Sequence, residues 1–395
     1  MASLIQSFAN LFATSAVQFH PYYLFCTMNA VHNINKDYVC NNFGGFLNNQ
    51  CNDYFSKDSN LNKNDKSLCY QYITYKDNQN VDMMINRWDT FIDYFVEHNR
   101  YYNSFSEVSE RFNVFHDNLN FINNHNFNTN SSFTLGVNQF TDMTNQEFKN
   151  KFVNGFGAVV GSNACKSFSS SASGAPSSID WRAKGAVTTV KDQGQCGSCW
   201  TFSATGAIEG AWAISKGSLV DFSEEQLVEC AGLKYGSMGC NGGQMDGAFK
   251  YVIENGQCSL SSYPYTSGSG DSGNCKTSCA PVATLSACYD VMANDQLSLK
   301  GAVSKQPVSI AIEADTRYFQ SYSSGILDSS SCGTTLDHGV LIVGYGEDNG
   351  MKYWNVKNSW SNTWGDNGYV RILRSDSTND KGICGIAMQP SFPVV

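Results

Sequence analysis

Hydrophobic residues begin to recur at three- and four-residue steps soon after Met84. In INRWDTFIDYFVEHNRYY, Trp88, Phe91, Ile92 and Phe95 share one face and charges fall between them, the pattern of an amphipathic helix. The next run, SEVSERFNVFHDNLNFINNHN, sets Glu107, Arg111, Phe115, Asn118, Ile122 and Asn126 at steps of four, four, three, four and four. Those steps place all six on one stripe of a helix. Read alone, the stripe is an ordinary surface helix with an Arg–Glu pair. Farther on, WTFSATGAIEGAWAISKG predicts a third helix with Trp200, Ala204, Ala207, Ile208, Ala211 and Trp212 on one side. Gly206 and Gly210 would admit a close neighbour, and Gly217 suits the C-terminal stop. Val340 to Tyr345 reads as a buried strand, GEDNG as a turn, and Lys352 to Lys357 as the returning strand. A hairpin centred on Asp348 leaves His338 and Asn358 facing each other at its open end.

Two stretches lack periodicity. Residues 1–80 are rich in Asn, which favours turns, and carry Cys26, Cys40, Cys51 and Cys69. Residues 153–175 are dominated by Gly and Ser and read as a flexible activation linker, the kind of segment where proteolytic nicking concentrates. The helical region between them spans 81–152. About 220 residues follow, from 176 to 395, enough for two sub-domains around a shared cleft.

Composition narrows the function. A net charge of −9 supplies no basic surface to neutralise phosphates, which argues against a nucleic-acid partner. No run reaches the ~20 apolar residues of a membrane-spanning helix. The 15 cysteines fit an oxidising compartment, and their odd number leaves at least one without an intramolecular partner. The opening MASLIQSFANLFATSAVQF is a poor secretory signal, because it has no basic start and Gln6, Asn10 and Gln18 interrupt it.

KDQGQCGSCWTF holds Cys196 and Cys199 in a C-x-x-C spacing. A redox pair, half of a zinc site, and a structural cysteine beside a reactive one all fit that spacing. Ser198 stands at the N-cap position, so Cys199 falls in the first turn, where the macrodipole favours a thiolate. A thiolate nucleophile needs a base, which His338 offers near neutral pH. The imidazole needs orienting, which the Asn358 side-chain oxygen can do without adding charge. The Cys199 backbone N–H and the Gln193 amide are candidate donors to an oxyanion.

Together these residues resemble the papain and cathepsin family. Cys196-Gly197-Ser198-Cys199-Trp200 matches its C-G-[SA]-C-[WY] signature, with His338 and Asn358 downstream. SIDWR at 178–182, GCNGG at 239–243, NSW at 358–360 and CGIA at 384–387 are similar to family segments. The stripe from Glu107 to Asn126 has the spacing of the ERFNIN motif of cathepsin L-like propeptides. Gly136, Asn138, Phe140 and Asp142 match the G-x-N-x-F-x-D motif of the same propeptides. The helix is thereby reassigned from a plain surface element to a prodomain.

The resemblance implies an α+β, papain-like two-domain fold, with a helical domain at about 176–285, a β-barrel-like domain at about 286–395 and an inhibitory prodomain ahead of both. It implies a cysteine endopeptidase made as a zymogen, located in a lysosome or digestive vacuole or outside the cell. It needs no cofactor and no metal. Expected partners are peptide and protein substrates, its own propeptide and cystatin-like inhibitors, and the expected state is a monomer. The implied disulfides are Cys196–Cys240, Cys230–Cys275 and Cys332–Cys384, which leaves Cys199 free. Cys258 and Cys279 are candidates for an extra bridge; Cys165 has no assignment and Cys288 reads as a small buried hydrophobe.

In the implied cleft, Gly197 and Gly243 let an extended peptide approach the backbone. Met245, Ala311, Leu336, Gly339 and Gln389 map to the pocket for the second residue before the cut, whose lining suits Leu, Val or Phe. Gln389 either meets a polar end there or points to water. Trp360 also borders the cleft, and with Trp364 it reads mainly as a shield over His338 and Asn358. Ser361 departs from the family's usual Gly. A catalytically dead binding or storage protein and an acyl transferase using the same Cys–His pair are the alternatives.

Overall fold

The structure is a computed structural model. It describes residues 90–395 apart from positions 92, 96, 99, 101, 103, 104, 128, 129, 154, 156–164 and 329–331. The extension 1–80 with its four cysteines, the helix position Trp88 and much of the expected linker lie outside the described residues, as does Ile92.

The chain forms two compact units, one ending at Asp117 and one starting at Asn118. In the first, Phe91 is buried and its ring lies 5.6 Å from that of Phe112 and 5.5 Å from that of Phe115. Phe91 and Phe95 are helical, as their spacing predicts. Helix α1 (Phe105–Asn126) carries the second stripe.

In the second unit, β1 (Phe133–Leu135) is followed by α2 (Asn145–Phe152). The start of α2 is fixed by a reciprocal cap. Thr144 accepts from the Glu147 N–H, and the Glu147 carboxylate accepts from the Thr144 N–H. After β2 (Lys166–Phe168) and β3 (Ile179–Asp180) come three helices, α3 (Cys199–Lys216), α4 (Glu224–Cys230) and α5 (Met245–Asn255). The remainder is mainly antiparallel: β4 (Ala287–Val291), α6 (Gln296–Val303), β5 (Val308–Ile312), α7 (Arg317–Gln320) and β6 (Tyr322–Leu327) lead to β7 (His338–Asp348), β8 (Met351–Lys357), β9 (Tyr369–Leu373) and β10 (Ser391–Val394).

One sheet of ten strands runs in the order β1-β6-β9-β8-β7-β5-β10-β4-β2, with β3 attached to β7. Strands from ahead of the protease region therefore lie at both ends of that path. Two cores flank it. One packs Trp200, Ile208, Phe249 and Val252 of the helices. The other packs the sheet and includes Ile122, Phe140 and Phe148 from ahead of the linker. The close approaches expected on α3 are present. A Cβ on Gly206 would lie 2.7 Å from Leu341 Cδ2, and one on Gly210 would lie 2.5 Å from Pro307 Cγ. Gly217 ends α3 in the left-handed region.

The β7–β8 hairpin turns on Asn349 and Gly350, both at positive φ, which suits a tight two-residue turn. Its register differs from a hairpin centred on Asp348. Leu341 pairs with Lys357, and an irregularity between Ile342 and Gly344 shifts the ladder. Asn358 thus falls level with Val340, two residues along from His338. Positions two apart on a strand share a face, so His338 and Asn358 meet diagonally rather than directly across.

The Gly/Ser segment is ordered over 165–175. Cys165 is disulfide-bonded to Cys288, and β2 pairs in parallel with β4. The reading of Cys288 as a simple buried hydrophobe is corrected by this bond. No local pattern in the sequence announces a partner 123 residues away.

Candidate functional site

Cys199 opens α3 and is the one free cysteine among the described residues. Cys196 is bonded to Cys240, Cys230 to Cys275, Cys258 to Cys279 and Cys332 to Cys384. Ser198 does not cap α3 with its side chain. Its hydroxyl shares a 2.8 Å hydrogen bond with Tyr265, whose hydroxyl also donates to the Gln193 carbonyl at 2.8 Å. Tyr265 thus ties the loop before Cys199 to the helix start, a role with no signal in the sequence.

His338 opens β7, and the N–H of the next residue, Gly339, donates to Cys199 Sγ at 3.3 Å. His338 Nε2 lies 2.8 Å from Asn358 Oδ1. Its Nδ1 is buried and has no hydrogen-bond partner. Trp360 stacks on the imidazole, with ring centroids 4.5 Å apart and an interplanar angle of 23°. Trp364 packs edge-on against Trp360. Gln193 is fully buried; its amide donates to the Cys196 carbonyl at 3.0 Å and accepts from Ser359 Oγ at 2.7 Å. Ser359 is a second supporting residue that sequence reasoning missed. Ser361 has φ +63° and its N–H donates to the Lys191 carbonyl, so a non-Gly side chain occupies a backbone state that favours Gly.

Behind the site is a buried ionic cluster. Lys191 meets Glu209 of α3 at 2.8 Å and Glu224 of α4 at 2.7 Å. Lys357, the residue before Asn358, donates to the Thr188 carbonyl at 2.9 Å. These contacts fix the end of β8 against the segment that leads into Gln193.

Prosegment residues complete the surroundings. Gly155 sits against Cys199: a Cβ there would be 2.9 Å from Sγ and 2.6 Å from the Gly197 carbonyl oxygen. Its carbonyl accepts from the Gly243 N–H at 3.2 Å. Phe140 and Phe148 lie edge-on to Trp360 at 5.5 and 5.2 Å, and the Gln139 amide donates to the Trp360 carbonyl at 2.6 Å. Burial then decides the electrostatics. It pushes the Cys199 thiol up to about 12, although N–H groups of Gly339, Trp200 and Cys199 itself pull the other way. It takes His338 down to about 4, against the hydrogen bond to Asn358. The low thiol pKa expected from the helix N-terminus is absent in this covered form, because desolvation outweighs the backbone donors.

The propeptide motif residues act mostly through side-chain amides. Asn118 donates to the carbonyls of Thr141 and Met143 and accepts from Arg317. Asn126 donates to the Leu135 carbonyl at 2.7 Å and accepts from the Leu135 N–H at 2.9 Å. Asn138 donates to the Gln320 carbonyl at 2.8 Å and accepts from the Phe140 N–H at 2.9 Å. Gly136 faces Ser323, whose Cβ would lie 2.9 Å from an added methyl. Phe115, Ile122 and Asp142 are buried; Glu107 and Arg111 are half-buried on the same helix.

Met245, Ala311 and Leu336 belong to one apolar cluster, and Ala311 pairs with Gly339 in the β5–β7 ladder. Gln389 is half-buried and donates to Gln244 Oε1 at 2.9 Å. Gly243 also has no room for a side chain: a Cβ would strike the Trp200 ring at 2.6 Å. Among the described residues, the only grouping of three metal-binding side chains is Cys165, Asp246 and Asp290. The sulfur there is held in a disulfide, so the set does not fit a resident metal.

This architecture has close counterparts. Residues 175–394 match the model "Papain family cysteine protease" and residues 91–148 match "Cathepsin propeptide inhibitor domain (I29)". The chain is 42% identical over 320 residues to "Germination-specific cysteine protease 1" of Arabidopsis thaliana, covering 77% of this chain and 83% of that one. It is 46% identical over 295 residues to "Cysteine proteinase RD21A" of the same plant, covering 74% of this chain and 63% of that longer protein. Among solved structures, the digestive procathepsin L 3 of Tenebrio molitor superposes with a TM-score of 0.71 at 40% identity, covering 78% of this chain and 99% of that one. The chain therefore belongs to the papain family of cysteine proteases and carries the family's inhibitory propeptide.

Proposed function

We propose that Cys199 is the nucleophile of an endopeptidase whose general base and acid is His338. One observation supports this above the others: the imidazole has Nε2 fixed on Asn358 and Nδ1 without a partner, and the next residue, Gly339, donates its N–H to the sulfur of Cys199, the free cysteine among the described residues. In the uncovered enzyme the thiol proton moves to Nδ1, and the thiolate attacks the scissile carbonyl carbon. The Cys199 N–H and the second N–H of the Gln193 amide receive the oxyanion. His338 then protonates the leaving amine, and water hydrolyses the acyl-enzyme by the same route in reverse. Asn358 holds the ring and Trp360 keeps water from that hydrogen bond. Met245, Ala311 and Leu336 favour an apolar residue at the second position before the cut, while the backbone of Gly197 and Gly243 pairs with the substrate chain.

The covered form is latent in two ways. Gly155 occupies the approach to Sγ, and burial keeps both thiol and imidazole neutral. Removing the propeptide returns water to the pair and lets the ion pair form. The presence of a complete Cys–His–Asn set weighs against a dead binding protein, and the propeptide weighs against an acyl transferase. The five disulfides among the described residues suit a vacuolar, lysosomal or extracellular site. No described helix is long and apolar enough to cross a membrane. Cystatin-like inhibitors and a monomeric state complete the reading.

The test is covalent labelling of the activated enzyme with a peptidyl epoxide, followed by peptide mapping. Label confined to Cys199, with loss of hydrolysis, is the expected result. Label elsewhere, or hydrolysis that survives His338→Ala, would overturn it. Peptides with Leu or Phe at the second position should be cut faster than those with Arg there.

A further inference from the structure

The propeptide match ends at residue 148 and the protease match begins at 175, so residues 165–174 belong to neither. Residues 165–170 are nevertheless bound to the protease region. Cys165 is bonded to Cys288 at the edge of β4. Lys166, Ser167 and Phe168 pair with Tyr289, Asp290 and Val291, and the Met292 N–H donates to the Phe168 carbonyl at 2.8 Å. The Phe168 ring packs edge-on to Phe392 at 5.2 Å, with Lys305 Nζ 5.1 Å from its centroid. The Ser170 N–H donates to Ser298 Oγ, which in turn donates to the Ser170 carbonyl. Ser170 Oγ lies so close to Gly301 that a Cβ there would not fit. At the far end the Pro176 carbonyl accepts from Tyr345 at 2.9 Å.

We propose that residues 165–175 stay on the active protease as a disulfide-anchored strap, and that the activating cut lies on the N-terminal side of Cys165. Proteolysis requires a stretch of backbone free to extend into another active site. The backbone is held by the β4 ladder at 166–168, by Ser298 at Ser170 and by Tyr345 at Pro176. The exposed turn between them is closed by the Ala175 N–H on the Ala172 carbonyl, so a cut there is ruled out by the covalent bond and not by the ladder. A cut after Cys165 would leave the propeptide joined to Cys288 through the S–S bond. A tethered inhibitor acts at an effective concentration in the millimolar range, so such a cut would not relieve inhibition until a thiol reductant cleaved the bond. A cut before Cys165 frees the propeptide at once and needs no reductant. The boundary between inhibitor and enzyme is thereby set by a cysteine pair rather than by the start of the protease-family match.

The experiment uses the full precursor in two forms. Wild-type precursor is activated in mild acid. The Cys199→Ala precursor, which bypasses any assumption about self-cleavage, is trimmed with added pepsin. In each case the large product is sequenced from its N-terminus, weighed with and without reductant, and mapped by non-reducing digestion. The expected product starts at or before residue 165, loses no fragment on reduction, and yields a peptide containing Cys165 linked to one containing Cys288. A product that starts at residue 166 or later, or that releases a propeptide fragment on reduction, overturns the proposal.

Discussion

Two strands from outside the protease-family match close opposite ends of the same sheet, and they are held in different ways. At one end β1 pairs antiparallel with β6, Phe133 to Gly325 and Thr134 to Ser324, with no covalent link. At the other, β2 lies parallel to β4 and is locked by Cys165–Cys288. The hold on β1 is distributed instead over side-chain amides and rings: Asn126, Asn138, Phe140 and Phe148 each contribute a term that can be lost stepwise. The contrast separates a removable inhibitor from a permanent edge. An unpaired sheet edge is an aggregation hazard, and the strap protects one edge after the propeptide has gone.

The largest effect that bears on this contrast is loss of the nucleophile. Cys199→Ala should lower hydrolysis by at least ~10⁴-fold and leave β1 and β2 both attached in acid, whereas wild-type precursor should shed the chain containing β1. Chain length and activity measured together check this; a variant that shortens unaided would show that another protease makes the cut.

Next is the aromatic hold on β1's side. Phe140 is buried against Trp360, and Phe140→Ala should cost about 3–5 kcal/mol of packing. That loosens the docked propeptide enough to raise the neutral-pH activity of intact precursor by about 10²-fold or more. Titration with an active-site label reads the uncovered fraction, and no rise would mean that Phe140 does not hold the inhibitor.

A smaller change tests the amide clamp. Asn126→Ala removes both bonds to Leu135 and should weaken the β1 end by about 1–3 kcal/mol. Hydrogen exchange should speed up at Leu135 and remain unchanged at Phe168. Equal acceleration at both would show that the two edges open together.

The smallest expected effect concerns pH at the strap. Asp290, which pairs with Ser167 in the ladder, is pushed up to about 7 by burial and by the neighbouring Asp246 carboxyl. Burial raises Asp246 as well. The folded chain thus keeps a proton that an unfolded carboxyl, with its ordinary value of 3.8, would release. This contribution is complete below that ordinary value and is lost as pH rises through about 7. The strap edge should therefore be firmer in acid, under the conditions expected to release β1. Thermal melts of the activated enzyme from pH 4.5 to 7.5 should show a downward trend that Asp290→Asn flattens. An unchanged slope in the variant would remove the carboxyl pair from the account.

Local features of the fold were readable from sequence because they obey short periods. The α1 stripe, the glycines of α3 and the β7–β8 hairpin all follow from steps of two, three or four residues. The hairpin reading failed only in register, where a ladder irregularity intervenes. The placement of Cys199 at the start of α3 and the meeting of His338 with Asn358 were legible from the helix pattern and from the hairpin ends. What was not legible depends on distant contacts. Ser198 turns to Tyr265 instead of capping, Gln389 finds Gln244, and Cys165 finds Cys288 across 123 positions. The upward shift of the thiol was equally hidden, because it comes from burial, and the Gly155 that lies against Sγ is a glycine within a Gly/Ser tract, which carries no pattern of its own.

The place of β10 in the sheet has a consequence for biosynthesis. Strands β4 and β2 reach the rest of the sheet only through β10, which lies between β5 and β4. Residues 391–394 leave the ribosome long after the nucleophile and its base. Until they emerge, β4 and β2 can pair with each other but have no ladder to the rest of the sheet. A nascent chain stalled before β10 would therefore carry β4 and β2 as a pair not yet laddered onto the sheet that bears His338.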